Sequence, residues 1–148
     1  MIKILFASRL ESPSGEAARV AARLAEHTGG TVVLLYVAGE LETVASVAAS
    51  AGVDEESVRA DIIAEVEERM QEFAGRNFAG REVQIEIGEG GVVDEIVRAA
   101  SEAAADYLVV GTEVHSTIRQ LVIGSTTHGI LDRSPCPVLV VHTRRKKK

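Results

Sequence analysis

The sequence has no tryptophan, three phenylalanines, two tyrosines and a single cysteine in 148 residues. Each scarcity removes a class of protein. One cysteine, Cys136, excludes an internal disulfide and a multi-cysteine metal centre. It stands between Pro135 and Pro137 with no basic group forced beside it, so it reads as structural rather than reactive. No apolar run approaches the roughly eighteen residues of a spanning helix, which argues against membrane insertion. The opening "MIKILFAS" is too short for a signal-peptide core, and a cytoplasmic protein is expected. GxxxxGK[ST] is missing, which excludes a Walker-type NTPase, and so is the GxS motif of a hydrolase elbow. His27, His115, His128 and His142 are scattered without HxxxH spacing, so no metal site is expected. No general acid and base can be paired. The chain reads as a binding protein, not an enzyme.

What is present is aliphatic. Hydrophobic residues make up 46% and charged residues 26%, the balance of an ordinary globular domain, and the length suits one domain. With aromatics this rare, the core must be built from Ala, Val, Leu and Ile. The net charge is −6, but the last five residues, "RRKKK", are all basic, so residues 1–143 carry −11. Such an acidic body repels nucleic acid. The chain therefore divides into a domain over 1–143 and a solubilising basic tail over 144–148.

The apolar pattern switches between short runs and helical periods. "IKILFA" (2–7) and "TVVLLYV" (31–37) read as buried strands. Between them Ala17, Val20, Ala21, Leu24 and Ala25 recur at helical spacing, with Ser14 as cap and Gly29 and Gly30 as stop. Residues 38–52 read as loop or a short helix. Asp54 then caps a long helix with Val58, Ile62, Val66, Met70 and Phe73 on one face, its acidic residues forming the solvated side. "EVQIEI" (82–87) alternates strictly, as a half-exposed edge strand does. "GEGG" (88–91) reads as a strand-to-helix turn away from any site, followed by a helix over 92–104. "YLVV" (107–110), a helix from Gly124 and "PVLVV" (137–141) complete the chain.

Alternating strands and helices imply an α/β fold: a single open five-stranded parallel sheet with helices on both faces. In the order 3-2-1-4-5 the winding reverses between strands one and four, and ligands of such sheets bind in that crevice. The loops there begin at Arg9 and Gly111. The last strand, from Pro137 to Val141, is apolar throughout although it would lie at an edge. A bare apolar edge invites pairing, so a homodimer through this strand is expected.

The stretches "IKILFAS", "LLYV", "AADYLVVGT", "LVIGSTTHGIL" and "SPCPVLVV" together resemble the universal stress protein family over nearly the whole length. The resemblance implies a stress-response regulatory module that acts through a partner of unknown identity. Its ATP-binding members carry G-x2-G-x9-G-[ST] after strand four. Carried over, the first glycine is Gly111, the third Gly124 and the hydroxyl residue Ser125. The second glycine position holds Val114, whose branched side chain disfavours the positive φ of a phosphate loop. Those members also place an aspartate at the end of strand one, where this chain has Arg9. Arg9 removes an acceptor for ribose hydroxyls and adds a cation, free to bind phosphate or to pair with Glu11 or Glu113. Val37, closing strand two, is compatible with backbone contacts to adenine. The resemblance thus implies a site for ATP or another adenine nucleotide, bound weakly or in an altered pose. Its residues are Ala7, Arg9, Val37, Gly111, Thr112, Val114, Gly124, Ser125 and Thr126. The alternative is a nucleotide-free dimeric interaction protein whose ATP site is vestigial.

Overall fold

A computed structural model describes residues 1–10, 14–115 and 124–145; of 14, 113–115 and 143–145 it describes the backbone alone. Five parallel strands form one open sheet: β1 (Lys3–Ala7), β2 (Thr31–Val37), β3 (Val83–Gly88), β4 (Tyr107–His115) and β5 (Val138–Arg145). Their spatial order is β3-β2-β1-β4-β5, the order expected from the sequence. Five helices connect them: α1 (Ser14–Thr28), α2 (Leu41–Ser50), α3 (Glu55–Asn77), α4 (Val92–Glu102) and α5 (Ser125–Arg133).

Because successive strand side chains point to opposite faces, β1 feeds two cores. Ile4 and Phe6 join Val32, Leu34 and Val109 beneath α1 and α3. Leu5 joins Val33, Leu35, Leu108 and Val110 beneath α4 and α5. On the first face α1 presents Ala17, Ala18, Ala21 and Ala25, all fully buried. Side chains this small let the helix lie close on the central strands. Volume comes from α3 instead, through Val66, Met70 and Phe73. The few aromatics are concentrated here: the rings of Phe73 and Phe78 each lie 6.2 Å from Phe6, in the tilted and edge-on arrangements that aromatic pairs prefer.

The β2–β3 connection contains two helices, with 38–52, read as loop or a short helix, supplying α2. Three features depart from the sequence reading. Asp54 occupies the cap position of α3 but makes no side-chain cap hydrogen bond. Strand β4 continues to His115 instead of ending near Val110, and β5 continues to Arg145, so the first two basic residues of the tail belong to the strand. The two extensions explain each other. Thr112 pairs with His142 and Val114 with Arg144, so each supplies the other's ladder partners. Among the described residues no helix is long and apolar enough to cross a membrane.

Gly29 ends α1 in the left-handed conformation at φ +67°. Gly30 is needed for a different reason. A Cβ there would lie 2.6 Å from the Ile2 carbonyl oxygen, which accepts the Thr31 N–H at 2.9 Å to start the β1–β2 ladder. Gly30→Ala must therefore push apart the beginning of the central strand pair. We expect a loss of about 1–3 kcal/mol in urea unfolding. An unchanged midpoint would show that this contact carries no constraint.

Candidate functional site

The site lies where the winding reverses. Ala7, the last residue of β1, pairs with Leu35 on one side and Val110 on the other, and both neighbours run on past it, β2 to Val37 and β4 to His115. The chain then turns sharply. The Ser8 N–H still donates to the Leu35 carbonyl at 3.0 Å, while the Ser8 hydroxyl accepts the Leu10 N–H at 2.9 Å. Leu10 is held at φ +65°, a conformation uncommon for a non-glycine residue, and its side chain is buried in the α1–α3 core. Burial and the serine hydrogen bond pin this turn and leave Arg9 exposed at its crest. Beside it, Val37 pairs with Gly88, and Ala38 N–H donates to the Gly88 carbonyl at 2.7 Å, closing β2.

On the far side of the crevice α5 begins at Gly124, its N-cap, in extended conformation with no side-chain cap. The first N–H groups of a helix have no partner within it, so those of Ser125, Thr126 and Thr127 need acceptors from elsewhere. The other four helices each carry a carboxylate in the first turn, where it offsets the positive end of the helix dipole. In α4 that carboxylate even reaches back: Glu95 accepts the Gly90 N–H at 3.2 Å and the Arg98 Nε–H at 2.9 Å. The first turn of α5 has no acidic residue.

Between these elements lies a cavity of about 430 Å³, within the roughly 300–1,000 Å³ of small-molecule sites. Eight of the nine residues expected from the sequence line it: Ala7, Arg9 and Val37 on the strand-one and strand-two side, Gly111 and Thr112 on β4, and Gly124, Ser125 and Thr126 on α5. The ninth, Val114, has its backbone within the β4–β5 ladder, so its position is strand and not the loop expected for it. The side chain of Val114, and Glu11 as a partner for Arg9, lie outside the described residues.

Other lining residues were not expected. Leu35, Ile96, Val110 and Ile130 form apolar walls; their periodic spacing marked them only as core. Ser8 and Tyr36 complete the strand ends. Thr127 is the buried polar side chain among the described residues, and it faces the cavity from the same helical turn as Ser125. Val92 also lines it: residues 88–91 are themselves outside the lining, but the turn they form feeds α4, whose first residue borders the crevice. Helix α4 reaches this position by packing closely on α5. A Cβ on Gly129 would meet Val93 Cγ2 at 3.1 Å, and Arg133 holds Asp94 at 2.7 Å. Among the described residues Arg9 is the charged residue of the lining, so this part of the cavity pairs apolar walls with a cation and a helix N-terminus. Among the described residues no three His, Cys, Asp or Glu side chains come together as a metal centre.

Comparison with known proteins gives the same frame. The chain is 43% identical over 61 residues to a universal stress protein of Synechocystis sp., covering 41% of this chain and 21% of that protein. It is 34% identical over 83 residues to one of Mycobacterium tuberculosis, covering 56% and 53%. The matched segments thus span about a fifth to a half of these curated relatives. Among solved structures, that of the protein MJ0577 aligns with a TM-score of 0.74 at 23% identity, covering 99% of this chain and 98% of that one. The universal stress protein of Archaeoglobus fulgidus in complex with dAMP aligns with a TM-score of 0.68 at 20% identity, covering 95% and 98%. Both likenesses establish the fold. The model of the universal stress protein family matches residues 1–142, and the chain belongs to that family.

Proposed function

We propose that the protein is a stress-response binding module that takes an adenine nucleotide in this cavity and relays occupancy to a regulatory partner. The observation that carries the reading is the acid-free first turn of α5 at a cavity whose charged lining residue, among the described residues, is a cation. Helix N-termini of this kind bind phosphate through their amides and dipole. The phosphates sit against Gly124, Ser125 and Thr126, and the base against Val37 and the apolar walls. Arg9 supplies a second anion contact in place of a ribose acceptor, which alters the pose. Relatives of the same fold support the ligand class: one is in complex with dAMP and another with cAMP. Among the described residues the lining carries no carboxylate and no histidine, and the role proposed is accordingly one of binding.

The first test is isothermal titration of AMP, ADP, ATP and cAMP, with and without Mg²⁺, into protein stripped of carried-over ligand. Micromolar binding is expected for at least one of them. Ser125→Ala should weaken it about three- to tenfold, the effect of one lost hydrogen bond. Ser125→Glu should instead abolish it while raising unfolding stability by about 0.3–1 kcal/mol, because its carboxylate occupies the place of the phosphate at the helix end. No heat and no thermal shift at millimolar nucleotide would exclude the reading and favour a nucleotide-free interaction protein.

The same proposal includes a homodimer through β5. That strand is a sheet edge, and its Leu139 remains 38% exposed. Sedimentation equilibrium should give a dimer. Leu139→Glu should shift it towards monomer, since a two-fold interface brings the introduced charge near its own copy. A monomeric wild type would rule the dimer out.

A further inference from the structure

A second concave surface lies apart from the cavity and shares no lining residue with it. It is an open groove of about 570 Å³ between the outer face of α1 and the junction of α3 with β3. Arg19 and Arg23 line it from α1, Arg76 from the last turn of α3, and Arg81 from the turn before β3. Glu26 is the acidic residue of the lining, leaving +3 on a chain whose net charge is −6. Arg19 has an exposed partner in Glu16 at 3.3 Å, and Arg76 is well placed for the α3 dipole. Among the described residues Arg23, Arg76 and Arg81 make no ion pair and donate no side-chain hydrogen bond. With 22 acidic residues in the chain, neutralising them internally would have been easy, yet guanidinium groups from three segments converge here.

We propose that this groove docks an acidic, extended segment of a partner protein. All four cations are arginines, whose planar fork matches carboxylates two bonds at a time. The lining runs along α1 from Gly15 to Glu26; at 1.5 Å per residue that is roughly 16 Å, the length of about five extended residues. Nucleic acid is the weaker fit. Phe78, the aromatic residue of the lining, is 3% exposed with its ring against Phe6, so no face is offered for base stacking. The strongly acidic remainder of the body repels a long polyanion but spares a short segment confined to the groove.

The test uses the full-length protein and a fluorescein-labelled octaglutamate followed by anisotropy, with oligothymidylate and tripolyphosphate as competitors. Octaglutamate is expected to bind and to be released by salt. Arg23→Glu and Arg76→Glu should each weaken it about tenfold or more, with thermal unfolding confirming that both fold. Arg81→Gln, a gentler change, should weaken it less. Titration of the nucleotide cavity should be unaffected by all three, which separates this proposal from the first. Absence of binding, binding unchanged by the charge reversals, or tighter binding of oligothymidylate or tripolyphosphate would each overturn it.

Discussion

The arrangement depends on one constraint: β1 must pair in parallel with β2 and β4 at once. Crossovers are right-handed, so the chain winds one way from β1 to β2 and β3, and the other way from β4 to β5. That reversal sends α1 and α3 to one face and α4 and α5 to the other. No helix then crosses above the C-terminal ends of β1 and β4. A crevice is the geometric remainder, and its floor is the apolar surface both faces were built to bury. The demand on β1 is correspondingly severe. Ile4, Leu5 and Phe6 are each fully buried, with alternate side chains serving opposite cores.

Electrostatics at the helix ends set α5, which borders this crevice, apart from the other four helices. Elsewhere on the same rim the protein neutralises itself. Arg59 on α3 donates to Glu42 of α2 and to Glu89 of the β3–α4 turn, each at 2.9 Å, with Glu55 at 3.7 Å. The hydrogen bond to Glu42, with that to Glu89, raises the pKa of this guanidinium above its ordinary value. The cluster ties the double helix of the β2–β3 crossover to the turn that launches α4. Glu95 serves the turn similarly from within α4. Against this background of satisfied ends, α5 is left with its amides directed at the cavity and no carboxylate of its own to compete with a ligand.

The strand order, both core faces and half of the described crevice lining were legible because they follow from periodicity and handedness. Ala7 and Val37 are strand ends and Gly111 follows the last residue of the run YLVV, positions fixed by where apolar runs stop. Extents were harder. Nothing local in "GTEVH" or "HTRR" announces a strand; each becomes one because the other is alongside, a long-range pairing that a single pattern does not carry. The misplacement of Val114 in a loop followed from that missed pairing. Val92, Ile96 and Ile130 were indistinguishable from ordinary core, since apolar cavity walls and apolar packing use the same residues. Thr127 was hidden for the opposite reason: in a Ser/Thr-rich helix start, nothing in the sequence says which hydroxyl turns inward. The arginine groove was likewise invisible, because its four cations are spread over 63 positions from Arg19 to Arg81.

The two ends of the sheet also differ in a way that bears on assembly. At one edge, β3 carries Gln84 and Glu86 among its apolar residues and is flanked by the long acidic α3. Polar and charged edge residues discourage strand addition. At the other edge, β5 offers Val138, Leu139, Val140 and Val141 in succession, none of them fully buried, followed by a ladder that runs on to Arg145. A lone edge strand of this length and composition is an aggregation hazard unless covered. The proposed self-pairing would cover it with the one surface always present at matching concentration. It would also set two crevices in fixed relation, because β4, which supplies Gly111 and Thr112 to the cavity, is the immediate neighbour of β5. Occupancy at α5 and the geometry of the pair would then be linked through a single shared ladder.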